Sequence, residues 1–213
     1  MGRKSSLIEV IYRLSNLILR LVYINFLWIL FSLLGLLIAG FFPSTVAMFT
    51  VVRKWVLGET DAAIFNMFWK TFKNQFLKSN ILGYSLSIIG AVLYADILYL
   101  QQAEHNALQM LYFPVLFISF LYFLSLLYVI PIFVHYDIKG VYTIKNALLI
   151  PIITPFATLK MCLGLLLIVY IMIALPGSII LFCGSVTSYF IMRTANSAFI
   201  QYEQKRAKVI NQL

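Results

Sequence analysis

Three stretches of this chain contain no Asp, Glu, Lys or Arg: Leu21–Val52, His105–Tyr136 and Met161–Met192, each 32 residues long. A fourth, Ser79–Ala95, is shorter and stops at Asp96. A helix that crosses the hydrocarbon core needs about 20 apolar residues. Each long stretch therefore holds one generous crossing or two tight ones, and the chain reads as an all-α, polytopic transmembrane helical bundle. Composition supports this: hydrophobic residues make up 62% and charged ones 11%, roughly half the charged share of a soluble domain. A soluble globule of 213 residues could not hide so much apolar surface. The length fits a single transmembrane domain over residues 1–213.

Turn chemistry divides the long stretches. Gly40-Phe41-Phe42-Pro43, followed by Ser44 and Thr45, interrupts the first, and Pro176-Gly177-Ser178 interrupts the third. Glycine accepts unusual dihedrals and proline can open a helix, so both places suit a tight helical hairpin. The middle stretch has Pro114 and Pro131 only near its ends and reads as one crossing. Six helices result, at roughly 17–39, 43–57, 80–100, 111–135, 158–175 and 178–200. The segment 43–57 would be only about 22 Å long. It spans if Arg53 and Lys54 snorkel, and is otherwise a re-entrant half-helix buried in protein; 158–175 is similarly short.

Charge tests the count. With six crossings and cytoplasmic termini, all sixteen Lys and Arg fall on the inner side, in clusters of net +3, +3, +2 and +3, while the outer side keeps Asp96 and Glu104. That is the positive-inside pattern. If Leu21–Val52 were one crossing, Arg53, Lys54, Lys70, Lys73 and Lys78 would all face outward. The net charge of +9 is too dispersed for nucleic acid and suits anionic headgroups. Arg3, Lys4, Arg13 and Arg20 before an apolar segment imitate a signal peptide, but the segment is too long and lacks a cleavage site, so it is expected to stay as a membrane helix.

Two cytoplasmic segments are expected to form amphipathic helices. In Ala62–Leu77, with Thr60 and Asp61 as candidate caps, Ile64, Phe65, Phe68, Trp69, Phe72 and Phe76 share one helical face, opposite Asn66, Lys70, Lys73 and Asn74. Such a helix either rests on the inner leaflet or docks a partner through Trp69, Phe72, Lys73 and Phe76. The second runs from Tyr136 to Lys160; Asp137 could cap it, Gly140 could end the preceding span, and Pro151 and Pro155 would interrupt the approach to the next crossing.

Chemistry-bearing residues are sparse. Asp96 is the candidate intramembrane polar group, either a solvated interfacial carboxylate or a cation or proton site. His135 and Asp137 are two apart and do not face each other on a helix. Cys162 and Cys183 lie in apolar stretches without metal or redox neighbours. No catalytic, cofactor or metal motif is present, and the chain is expected not to be an enzyme.

The run Gly40–Phe49, then Val52-Arg53-Lys54-Trp55, Gly58-Glu59 and Phe68-Trp69-Lys70-Thr71-Phe72-Lys73-Asn74-Gln75-Phe76, resembles the signature of the YesL-like family of small bacterial membrane proteins. The resemblance implies a multi-pass protein of the bacterial plasma membrane. Members are commonly encoded beside carbohydrate ABC importers, which implies an accessory or regulatory subunit with ABC permease partners. A self-contained transporter or channel, lined by Asn25, Ser32, Ser44, Ser85, Ser87 and Ser125, is the alternative.

Overall fold

The computed structural model of the chain describes residues 2–59, 63–102, 106–136 and 140–210; for 2–8, 10, 13, 106–107, 140–142 and 208–210 it fixes the backbone only. The described residues form eight helices and no strand: α1 Gly2–Leu34, α2 Ile38–Val56, α3 Ile64–Gln101, α4 Asn106–Met110, α5 Tyr112–Tyr136, α6 Gly140–Ile153, α7 Pro155–Ala174 and α8 Pro176–Ile210. By length and composition, five segments can cross a membrane: Leu14–Leu34, Ile64–Gln101, Leu108–Tyr136, Pro155–Ala174 and Pro176–Ala207. The chain is a polytopic helical bundle.

The sixth expected crossing is α2. It has 19 residues, about 28 Å of helix, and so is longer than the 43–57 read from sequence. The reason is that the first hairpin turns earlier than expected. The turn lies at Gly35-Leu36-Leu37, where Leu36 and Leu37 take positive φ values of 55° and 60°. Leu37, with ψ −57°, centres a γ-turn closed by the Ile38 N–H on the Leu36 carbonyl at 2.6 Å, a strained backbone for a non-glycine residue. Gly40 and Pro43 sit inside α2 instead. Gly40 serves close approach: a Cβ there would stand 2.6 Å from the Ser32 carbonyl and 2.7 Å from that of Phe31. Pro43 removes one backbone donor, which would leave the Ala39 carbonyl unpaired. Asn80 Nδ2 supplies the missing bond to Ala39 O at 2.9 Å, and Tyr84 Oη bonds Ile38 O at 2.8 Å. The helix passes through its proline because α3 repairs it.

The second hairpin turns where sequence places it. Leu175 joins α7 to α8, Pro176 opens α8, and Ser178 Oγ bonds Leu175 O at 2.7 Å. The break before α7 falls at Thr154, where Pro155 opens α7 as expected, whereas Pro151, also expected to interrupt, sits inside α6. Thr154 Oγ1 bonds Ile150 O at 2.8 Å, and the Tyr128 and Thr158 hydroxyls meet at 3.0 Å.

One expectation fails outright. The aromatic segment 62–77 is not a separate helix lying beneath the bundle. It is the first part of α3, a continuous helix of 38 residues, and Thr60 and Asp61 lie outside the described residues. The gap expected between this segment and the crossing at 80–100, Lys78-Ser79, contains no helix breaker. Ser79 Oγ bonds Phe76 O at 3.2 Å and Asn80 reaches Ala39, so neither polar group needs the helix to open.

The core lies around α2, which packs on α1, α3, α5 and α8. Ala47, Met48, Val51 and Val52 are buried there with Ile24, Phe68, Ile132 and Phe199. Asn25, 1% exposed, ties α1 to α8: its Nδ2 donates to Ile180 O at 2.7 Å, and its Oδ1 accepts from the backbone N–H of Gly184 at 3.0 Å and of Ser185 at 3.1 Å.

Candidate functional site

Cations collect at one end of the bundle. Arg53, in the last turn of α2, donates from Nε to His135 Nδ1 at 3.3 Å, in the last turn of α5. Nδ1 can accept only if unprotonated, so in this geometry the imidazole is neutral with its proton on Nε2. The His135 ring packs on Phe199 of α8, with centroids 4.8 Å apart. Beside it Tyr136 Oη donates to Glu203 Oε1 at 2.9 Å, and Lys205 Nζ donates to Ile153 O at 2.7 Å. These contacts tie α2, α5, α6 and α8 together.

Against them α3 turns its polar face. Lys70, Thr71, Asn74 and Gln75 close a cavity of about 340 Å³ with Thr50, Arg53 and His135. Among the described residues, its two cations, Arg53 and Lys70, have no carboxylate partner and no acidic residue lines the cavity. The Gln75 Oε1 is buried with no hydrogen-bond partner among the described residues. The cations of the cleft suit an anion. A second cationic cleft of about 610 Å³, between α7 and α8, carries Lys160 and Arg193 beside Thr194, Ser197 and Gln201.

The opposite face of α3 holds the four expected partner contacts, Lys73 lying over Trp69 rather than with Lys70 and Asn74 as expected, and the structure separates them. Phe31 of α1 inserts among Phe65, Phe68, Trp69 and Phe72, with ring centroids 5.1 to 6.4 Å away. Phe68 and Phe72 are buried, at 0% and 8% exposure, so Phe72 belongs to the interior. Phe65, Trp69 and Phe76 stay 47%, 40% and 36% exposed and form a ridge. Trp69 stacks nearly parallel on Phe72, at 6.2 Å and 9°, and Lys73 Nζ lies 4.7 Å from the Trp69 ring centre. The ridge is therefore held from beneath.

Asp96 is exposed near the far end of α3, away from both clefts. Glu104, His105 and Asp137 lie outside the described residues. Cys162 and Cys183 are free thiols. Among the described residues no three His, Cys, Asp or Glu side chains cluster as metal ligands would. The polar groups proposed to line a pore bond within the bundle instead. Ser32 and Ser44 meet each other at 2.6 Å, and Ser85, Ser87 and Ser125 bond carbonyls of their own helices.

Neither the grouping of Arg53, Lys70 and His135 nor the role of Phe31 is legible in the sequence. Both cations read as membrane-flanking charge, and the only available signal was the polar stripe Lys70, Asn74 along α3. Which residues that stripe faces is decided by packing.

A bundle whose long helices are apolar outside and whose cations gather at one end is a multi-pass membrane protein. The family model described as "Protein of unknown function, DUF624" matches residues 21–97, from within α1 to near the end of α3. The chain is 35% identical to the uncharacterized protein YteU of Bacillus subtilis over 90% of its own length and 86% of that protein's. It is 34% identical to YesL, over 90% of each chain, and 32% identical to YesV, over 94% of its own length and 99% of that relative's, both from the same organism. The chain belongs to this YesL-like, DUF624 family. No solved structure matches it.

Proposed function

We propose that the protein is a non-enzymatic accessory or regulatory subunit of the bacterial plasma membrane that binds the permease subunits of a carbohydrate, specifically oligosaccharide, ABC importer. Its termini and basic end face the cytoplasm, as the positive-inside rule requires. The observation that carries the reading is the ridge of Phe65, Trp69 and Phe76 with Lys73, exposed on top and fixed beneath by Phe31. Rigid aromatic anchors beside a cation are good contact material, because little side-chain entropy is lost on docking. The importer as partner follows from the family resemblance.

A self-contained channel is less well supported, because Asn25, Ser32, Ser44, Ser85, Ser87 and Ser125 all hydrogen-bond inside the bundle. Isolating the tagged protein from its native membrane in mild detergent, with mass spectrometry of what accompanies it, tests the reading. Permease subunits in stoichiometric amount, lost on Trp69→Ala with Phe76→Ala, are expected. Recovery of this chain alone as a defined homo-oligomer refutes it and brings the transporter or channel forward.

A further inference from the structure

The cationic cleft does not stand alone. Above it, along the same three helices, runs an apolar groove of about 330 Å³ lined by Phe42, Leu82, Leu86, Leu126, Val129 and Ile130. Val46 is a wall of both cavities. On α2 the lining runs Phe42, Val46, Thr50, Arg53; on α3 it runs Leu86, Leu82, Ser79, Gln75, Thr71. These are steps of three and four residues, one face of each helix. The two cavities are thus successive lengths of one seam between α2, α3 and α5, polar at the basic end and apolar beyond it.

From this continuity we infer that the seam is a binding site for an anionic glycerophospholipid, headgroup in the cleft and acyl chain along the groove. Arg53 and Lys70 supply two cations that no carboxylate among the described residues neutralises. Arg53 is oriented through Nε by His135, and its terminal guanidinium nitrogens have no protein partner among the described residues. An oriented guanidinium fork beside an ammonium matches a phosphodiester, which offers several acceptor oxygens. Basic pockets between helices at the inner surface are where anionic headgroups bind. A free phosphate shares the headgroup chemistry but has no use for the groove.

The test uses the full-length protein, purified in mild detergent and depleted of lipid. It is titrated with phosphatidylglycerol, with phosphatidylcholine of the same acyl chains, and with inorganic phosphate, followed by intact-complex mass spectrometry and thermal shift. Phosphatidylglycerol is expected to bind one per chain and at least tenfold tighter than phosphatidylcholine. Arg53→Gln with Lys70→Gln is expected to weaken it about 30-fold, roughly fivefold per cation. Lys160→Gln with Arg193→Gln, which removes two cations from the other cleft at the same end, is expected to change it less than twofold. Leu126→Trp, which fills the groove, is expected to weaken the lipid and leave phosphate unaffected. Lys70 is exposed, so Lys70→Gln alone should fold and still show the fivefold loss. Equal binding of the two lipids, an equal loss from both cation pairs, no loss in Lys70→Gln, or stabilisation by phosphate matching that by the lipid would each overturn the inference.

Discussion

Asn25 offers the sharpest test of how this bundle is held. In an unperturbed helix the Gly184 N–H donates to the Ile180 carbonyl. Asn25 engages both ends of that rung from a different helix, and takes the Ser185 N–H as well. Hydrogen bonds between helices in membranes contribute about 0.6 kcal/mol each on average and at most about 1.7. Three bonds thus give about 2 kcal/mol on the average figure. Asn25→Ala loses them and leaves a void in an enclosed site, while closure of the Gly184–Ile180 rung recovers part of the loss. The expected net effect is about 2 kcal/mol, some 30-fold in the ratio of folded to unfolded protein.

Gly184 completes the argument. A Cβ at this position would lie 3.0 Å from Asn25 Oδ1, 3.2 Å from Trp28 and 3.3 Å from Met48. Gly184→Ala should therefore cost about 1–3 kcal/mol through overpacking. Asn25→Ala opens space for that methyl, so the double variant should cost less than the sum by at least about 0.5 kcal/mol. Equilibrium unfolding in mixed micelles measures all three variants. An Asn25→Ala protein within about 0.5 kcal/mol of the parent, or strict additivity with Gly184→Ala, refutes the clasp.

Other consequences can be checked by the same assay or by labelling. Asn80→Ala should cost about 1–2 kcal/mol by orphaning the Ala39 carbonyl, and markedly less in a Pro43→Ala background, where the helix regains its own donor; equal costs in both backgrounds would show that the proline repair is misread. Phe68→Ala, at a fully buried ring, should cost about 3–5 kcal/mol, at least twice the cost of Trp69→Ala. Cysteines placed at Leu36 and Glu59 in a chain lacking Cys162 and Cys183 report orientation. A membrane-impermeant maleimide on intact cells should label position 36 and not 59, and the reverse pattern contradicts a cytoplasmic basic end. Asp96→Asn should leave stability within about 0.5 kcal/mol of the parent, since the side chain is exposed and pairs with nothing described.

What sequence could show was set by how local each cause is. Pro176 can open a helix wherever it stands, and Pro155 likewise, so the α7–α8 turn and the break at Thr154 were readable. The first hairpin was misplaced because its causes are not local. Gly40 is there to let two helices touch at Ser32, and Pro43 is tolerated because Asn80, in another helix, bonds Ala39. The aromatic stripe of α3 was visible as a stripe, but whether Phe72 faced lipid, a partner or Phe31 depended on α1. Arg53 and Lys70 were visible as charges; their meeting beside His135 depended on how three helices rotate about their axes.

α2 stands at the centre of the described bundle yet is not among the five segments long and apolar enough to span, because Arg53 and Lys54 cut its apolar run at Val52. Lipid is as apolar as leucine, so no hydrophobic force gathers helices inside a bilayer; close packing and hydrogen bonds do. The helix at the centre is then the one with small and hydroxyl side chains. α2 fits this: Gly40, Ser44, Thr45 and Ala47 are buried, Ser44 meets Ser32, and Thr45 accepts from Trp28 Nε1 at 3.0 Å. In α3 the large aliphatic residues Ile81, Ile88, Ile89 and Val92 are exposed, as lipid-facing positions should be. The two helices are similarly apolar along their lengths and differ in what covers them, protein for α2 and open surface for much of α3. Charge, which does not depend on facing lipid, is the feature that marks the end of the central helix, at Arg53 and Lys54.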